Sequence, residues 1–80
     1  MIVLEEMYRE LRPYAFAIAY RMLGSVSAAE HVVQAAFLRI ADRAPDDIES
    51  PKAYLATITT RLAIDSLTSA RSQREVYVGP

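Results

Sequence analysis

This chain of 80 residues contains only two glycines and four prolines. Around Gly24 and around Pro51, the sequence separates into three stretches in which apolar residues recur every three or four positions. That spacing places the apolar side chains on one face of an α-helix. The sequence therefore predicts an all-α fold, a small three-helix bundle formed by a single domain.

The first helix is predicted to run from residue 3 to residue 23. Pro13 lies inside it, and the proline ring crowds the carbonyl four residues earlier, so we expect a kink or a break near this residue. Gly24 is expected to end the helix in a left-handed conformation. The apolar stripe of this helix comprises Met7, Leu11, Tyr14, Ile18 and Met22.

The second helix is predicted over "SAAEHVVQAAFLRIADR", residues 27–43. Ser27 and Glu30 have the spacing of a capping box, in which each side chain satisfies a backbone amide of the other residue. The residues expected to face the core are Val33, Ala36, Phe37 and Ile40.

The third helix is expected to begin after an acidic loop at residues 43–50 and to fade near Ser72. Ser50 is a suitable cap, and Pro51 suits the first helical position, where a missing N–H costs nothing. The residues expected to face inward are Tyr54, Leu55, Ile58, Leu62 and Leu67.

The composition excludes several classes of protein. No cysteine is present to form a disulfide or a thiolate metal site, and no apolar run approaches the length of a membrane span. Glu5 and Glu6 stand where a secretory signal would have basic residues, so we expect a cytoplasmic protein. The net charge of −1 means that nucleic-acid binding would need a local basic patch.

No catalytic or metal-binding constellation is apparent. His31 is the single histidine and has no partner at ligand spacing, which favours an exposed helix histidine over a metal ligand. The loop carboxylates Asp46, Asp47 and Glu49 are expected to form a solvated turn. No general base lies near the serines and threonines of the third helix. We therefore expect no enzymatic activity, no metal and no cofactor.

Two surfaces remain as candidates for binding. The outer face of the second helix is unusually apolar at Ala35 and Leu38, although single exposed apolar residues are common. Residues 52–74 carry four cations against one anion, Asp65, with hydroxyl groups between them. These cations either contact phosphates or complement the helix dipole of an ordinary solvated helix end.

The order of two long motifs resembles region 2 of bacterial RNA polymerase sigma factors, specifically the extracytoplasmic-function (ECF) group. These motifs are "YAFAIAYRMLGSVSAAEHVVQAAFLRIADR" and "ESPKAYLATITTRLAIDSLTSARSQREVYVGP". The last seven residues are similar to the subgroup that carries an extra C-terminal domain. The resemblance covers residues 8–80 and implies that residues 1–80 form one region 2 domain. We expect the chain to be a fragment of a longer protein, without the second sigma domain.

The resemblance implies two partners. In the family, the outer face of the second helix docks on the clamp coiled coil of the largest RNA polymerase subunit. The matching face here comprises Glu30, His31, Gln34, Ala35, Leu38 and Arg39. The family also melts and reads the −10 promoter element by capturing the non-template strand, with one base flipped out. The residues expected to bind this DNA are Lys52, Arg61, Ser69, Arg71, Ser72, Gln73 and Arg74.

Four residues depart from the family pattern. His31 and Ala35 replace acidic residues, which implies a weaker or altered polymerase contact. Thr68 replaces an arginine, which implies weaker promoter binding, and Arg61 stands where many members have asparagine. The alternative to a sigma domain is a helical protein-interaction module, a decoy or a regulator-binding bundle, that does not bind DNA. A regulatory protein or the protein's own C-terminal domain is a further possible partner, and no membrane contact is expected.

Overall fold

The computed structural model describes the backbone of residues 4–42 and 49–77, and the side chains within these ranges except those of residues 4, 7 and 70–77. It contains three α-helices: α1 (Leu4–Leu23), α2 (Val26–Asp42) and α3 (Pro51–Tyr77). Each helix packs against the other two, and no strand occurs in the described ranges. The predicted three-helix bundle is confirmed, but α3 continues beyond Ser72, where we expected it to fade.

The first helix continues through Pro13, so the chain has no break at this residue, and the kink expected as the other outcome stays a prediction. The proline side chain is exposed, as suits a residue that cannot donate a hydrogen bond within the helix. Gly24 has a φ of 68° and its amide donates a 2.8 Å hydrogen bond to the carbonyl of Tyr20. This is the expected left-handed end of a helix, in which glycine avoids the penalty that a Cβ would incur.

The second helix begins earlier than its capping-box pattern indicates. The Ser25 Oγ accepts a hydrogen bond from the amide of Ala28 at 3.2 Å, and the Ser25 carbonyl accepts one from Ala29 at 2.9 Å. Ser25 is therefore the cap, and the predicted cap at Ser27 with Glu30 is wrong. The physical reason is the position of Gly24, because the chain enters α2 directly after the left-handed residue that ends α1.

The cap of the third helix is confirmed. The Ser50 Oγ accepts a hydrogen bond from the amide of Ala53 at 3.4 Å, and its carbonyl accepts one from Tyr54 at 2.9 Å. Pro51 then occupies the first helical position, as predicted.

The core confirms the predicted stripe of α2 and revises those of α1 and α3. Tyr14 and Leu67 were expected inside but are 36% and 45% exposed, whereas Ala15 and Ala19 are fully buried. Alanines allow the axes of neighbouring helices to approach closely, and the larger side chains then flank the contact. The buried apolar residues are Ala15, Ala19, Ala29, Val32, Val33, Ala36, Phe37, Ile40, Leu55, Ile58 and Ala63.

Among the described residues, one polar side chain lies within this core. Thr59 is fully buried, and its hydroxyl has no hydrogen-bond partner among the described residues. A buried hydroxyl without a partner loses its hydration and gains nothing in return. Thr59 is thus an unsatisfied polar group that α3 contributes to the core.

Ring contacts show how the helices are aligned. Tyr8, near the start of α1, packs edge-to-face against Phe37, near the end of α2, with ring centroids 4.7 Å apart. These helices are therefore antiparallel. Lys52, at the start of α3, has its Nζ 4.7 Å from the centroid of the Tyr14 ring, midway along α1.

None of the described helices combines the length and the apolar character needed to cross a membrane.

Candidate functional site

The outer face of α2 points away from the bundle, as predicted. Leu38 is 70% exposed, the largest value among the exposed large apolar side chains of the described residues. Glu30, Gln34 and Arg39 are also exposed. An exposed apolar side chain is therefore surrounded by polar side chains, as is typical of protein-binding patches.

Two of these residues border a groove between α1 and α2. Gln34 and Leu38 form one wall of this groove, which has a volume of about 870 Å³, and the opposite wall includes Tyr8 and Arg12 of α1. The Arg12 Nε donates a 3.1 Å hydrogen bond to the Tyr8 hydroxyl, which links these two side chains one turn apart. Phe37 lies between the walls and is buried. We refer to this feature as the α1–α2 groove.

The sequence did not lead us to predict that α1 forms one wall of this groove. Tyr8 and Arg12 are four residues apart, which places them side by side on a helix. Their spacing was a usable signal, but the contribution of α1 became evident only once α2 was placed beside it.

His31 and Ala35 belong to a different groove, between α2 and α3. They line a space of about 470 Å³ together with Asp65, Ser66 and Ser69. The six residues predicted to form one polymerase face therefore do not share one groove: Gln34 and Leu38 border α1, whereas His31 and Ala35 border α3. We refer to this second feature as the α2–α3 groove.

Residues 7–73 match the protein family described as Sigma-70 region 2. The chain belongs to the Sigma-70 region 2 family. It is 42% identical over 72 residues to the ECF RNA polymerase sigma factor SigJ of Mycobacterium tuberculosis, a match that covers 90% of this chain and 23% of that protein.

A second relative has the same type of name. The protein named Probable ECF RNA polymerase sigma factor SigI, also of Mycobacterium tuberculosis, is 37% identical over 68 residues, which cover 85% of this chain and 23% of that protein. The chain thus spans about a quarter of the length of the curated relatives that it matches. The comparison with solved structures gave no significant match.

In this sigma region 2 domain, the residues predicted to bind DNA are spread along α3. Lys52 is exposed but its ammonium group lies over the Tyr14 ring. Arg61 is exposed and follows nine residues later, which places it about half a turn around the helix from Lys52. Ser69 lies 17 residues beyond Lys52, about 25 Å along the helix axis, in the α2–α3 groove.

The structure therefore does not bring Lys52 and Ser69 into one site of the sigma region 2 domain. The side chains of Arg71, Ser72, Gln73 and Arg74 lie outside the described residues, so their predicted contacts stay predictions. Within the described part of the domain, no cluster of three or more histidine, aspartate or glutamate side chains could hold a metal ion.

Proposed function

We propose that this domain is the part of a transcription initiation factor that docks on RNA polymerase and binds the −10 promoter element. Docking uses the outer face of α2 and the α1–α2 groove, and the partner is the clamp coiled coil of the largest polymerase subunit. DNA binding uses α3 and involves the non-template strand, which the domain helps to melt. The family membership and the names of the relatives support this proposal at the level of the whole protein.

The exposure of Leu38 is the observation that carries the docking proposal. A leucine that is 70% exposed at the rim of an apolar groove leaves apolar surface in contact with water, and a docked helix would remove that surface from water. Gln34 beside it offers both a donor and an acceptor for orientation. An apolar anchor in a groove with a polar rim is the arrangement that dominates the affinity of protein interfaces.

Substitution of Leu38 tests the docking site. Leu38→Ala is expected to lower the affinity for a clamp fragment of the largest polymerase subunit at least about fivefold, because truncation of an interface residue that becomes buried on binding and dominates the contact costs more than about 1 kcal/mol. Ile64→Ala is the matched control, since Ile64 is 49% exposed but lies on α3. Isothermal titration calorimetry measures both. Equal losses for the two variants, or no loss for Leu38→Ala, would contradict the assigned face.

The DNA-binding half of the proposal rests on exposed Arg61 and on the further cations of the C-terminal stretch. Basic side chains follow the phosphates of a single strand, and small polar side chains contact its bases. Arg61 is free of any ion pair within the described residues, although Asp65 lies one turn away. Its guanidinium group is therefore available to a phosphate.

The salt dependence of binding to single-stranded −10 DNA tests this half. Each phosphate contact contributes a slope of roughly −0.7 in a plot of log affinity against log salt, so three or four contacts predict a slope of about −2 to −3. Arg61→Gln is expected to flatten the slope by a little under one unit. Arg39→Gln removes an exposed cation from α2 and should leave the slope unchanged.

The alternative, a helical interaction module without DNA binding, predicts a different result. A folded domain that shows no binding to single-stranded DNA even at low salt would favour this alternative over the sigma function.

A further inference from the structure

The side of α1 that points away from the other two helices carries an ordered pattern of charges. Its residues follow one another at intervals of three or four positions, so they form one stripe along the helix. The stripe lies opposite Ala15 and Ala19, which are fully buried, and all of its residues are exposed. We refer to this set as the outer stripe of α1, which comprises Glu6, Glu10, Pro13, Ala17 and Arg21.

The charges of the outer stripe have no partners of their own. Within the described residues, Glu6, Glu10 and Arg21 form no ion pair. Glu6 and Glu10 lie one turn apart, a spacing at which like charges repel. The helix dipole favours acidic residues in the first turn and basic residues in the last, but Glu10 lies in the second turn. A cation beside these two carboxylates would relieve their repulsion.

We propose that the outer stripe of α1 pairs with the outer stripe of a second copy of this chain, antiparallel and about a twofold axis. In a parallel pair, Glu10 would face Glu10 and Arg21 would face Arg21, so like charges would oppose each other. In the antiparallel pair, Glu10 faces Arg21 of the second copy, and the symmetry repeats this ion pair. Glu10 and Arg21 are 11 residues apart, close to three full turns, so both lie on the same edge of the stripe, as the twofold axis requires.

The same register brings small side chains together at the centre of the pair. When Glu10 lies level with Arg21 of the second copy, Pro13 lies about 1.5 Å along the axis from Ala17 of that copy. Because both of these side chains are short, the two helix axes can approach to the usual distance of about 8–10 Å. The register that satisfies the charges therefore also permits close packing.

The second copy also reaches the α1–α2 groove. Arg9 and Pro13 line this groove, and Arg9 precedes Tyr20 by 11 residues, so the twofold axis places Tyr20 of the second copy beside Arg9. Tyr20 is 45% exposed, which permits a cation–π contact with the guanidinium group. Self-association thus covers one rim of the groove and competes with a partner that docks there. This consequence rests on the proposed function, whereas the pairing of the two stripes does not.

The oligomeric state of the 80-residue chain, measured by analytical ultracentrifugation over a range of concentrations, tests the pairing. One helix against one helix is a small contact, so we expect a weak dimer with a dissociation constant on the order of 0.1 mM. Arg21→Glu and Glu10→Arg should each weaken dimerisation about tenfold or more, because each variant places like charges in both ion pairs. An unaltered chain that stays monomeric at about 1 mM would overturn the proposal.

A mixture of these two variants tests the register. The Arg21→Glu chain carries glutamate at both positions and the Glu10→Arg chain carries arginine at both, so their heterodimer regains two ion pairs. The mixture should therefore dimerise about as tightly as the unaltered chain. Glu30→Arg and Arg39→Glu are matched controls that make the same charge changes on exposed residues of α2, and each should dimerise like the unaltered chain. A mixture that stays monomeric, or controls that weaken the dimer equally, would show that the stripe or its register is wrong.

The competition with docking is tested by varying the concentration of the chain. Where half of the chains are dimeric, the apparent affinity for the clamp fragment should be about twofold weaker than at high dilution, because only half of the chains are competent to dock. Arg21→Glu should show no such dependence. If the unaltered chain shows none either, the competition is wrong and the pairing stands. If neither chain binds the clamp fragment at any concentration, the proposed function and the competition fail, whereas the dimer is unaffected.

Discussion

Truncation of Phe37 tests how α2 is oriented in the bundle. Phe37 is 6% exposed, and its ring packs edge-to-face against Tyr8 at 4.7 Å with an interplanar angle of 61°. Replacement of a core phenylalanine by alanine typically costs about 3–5 kcal/mol. Because Phe37 also lines the open α1–α2 groove, water can fill the vacated space, and we expect Phe37→Ala to cost about 3 kcal/mol.

This loss is large relative to the stability of a domain of this size. At about 0.05–0.15 kcal/mol per residue, 80 residues give roughly 4–12 kcal/mol in total. Urea denaturation followed by far-UV circular dichroism measures the change in the free energy of unfolding. The neighbouring Leu38→Ala is the matched control, and since Leu38 is 70% exposed, its cost should stay within about 0.5 kcal/mol.

A double-mutant cycle isolates the ring contact. The coupling energy between Phe37→Ala and Tyr8→Ala is expected to be about 0.5–1.5 kcal/mol, the typical value for an aromatic pair in this geometry. An unchanged stability of Phe37→Ala, or an equal cost for Leu38→Ala, would show that α2 is rotated about its axis relative to the structure described above.

Three further substitutions probe local features by equilibrium denaturation. Thr59→Val should stabilise the domain by about 1 kcal/mol, because it removes a buried hydroxyl without a partner, and a loss of stability would indicate a hydrogen bond at this site. Ser25→Ala should cost about 1 kcal/mol, whereas Ser27→Ala should cost less than about 0.5 kcal/mol, and the reverse order would restore Ser27 as the cap. Gly24→Ala should cost about 1–2 kcal/mol through its positive φ alone, since no atom lies within 4 Å of the added Cβ. No measurable cost would mean that the left-handed turn is absent in solution.

The features that could be predicted from the sequence depend on neighbouring residues along the chain. The stripe of α2 was correct because Val33, Phe37 and Ile40 have a strong apolar spacing that leaves one orientation for the helix. Gly24 and Ser50 were correct because helix ends are satisfied by the residues immediately beside them.

The features that were wrong depend on where the other helices lie. Leu67 continues the apolar spacing of α3 but is 45% exposed, so the neighbouring helices leave much of this side chain uncovered. Tyr14 was favoured over Ala15 because periodicity gives weight to large side chains, whereas close helix contacts are made by small ones. The cap of α2 was assigned to the wrong residue because Ser25 and Ser27 are both suitable cap residues. The residue at which α1 ends decides between them, and this places the cap at Ser25.

In the candidate site, too, the features set by one helix could be predicted, and those set by the position of another helix could not. The exposure of Leu38 and Gln34 followed from the orientation of α2 alone and could be predicted. The separation of His31 and Ala35 into the α2–α3 groove could not be predicted, because it requires the position of α3. For the same reason, Tyr8 and Arg12 were not included among the predicted residues, although they complete the α1–α2 groove.

The alanine-rich packing of the bundle has a consequence for how the domain responds to temperature. Ala15, Ala19, Ala29, Ala36 and Ala63 are all fully buried, so much of the interior consists of methyl groups and backbone. Unfolding such an interior exposes less apolar surface per residue than unfolding one built from leucine and phenylalanine. Since apolar exposure raises the heat capacity, the heat-capacity change of unfolding should lie below the usual value of about 12–15 cal/mol/K per residue. A smaller heat-capacity change flattens the stability curve, so the domain should lose little of its modest stability on cooling toward the freezing point of water.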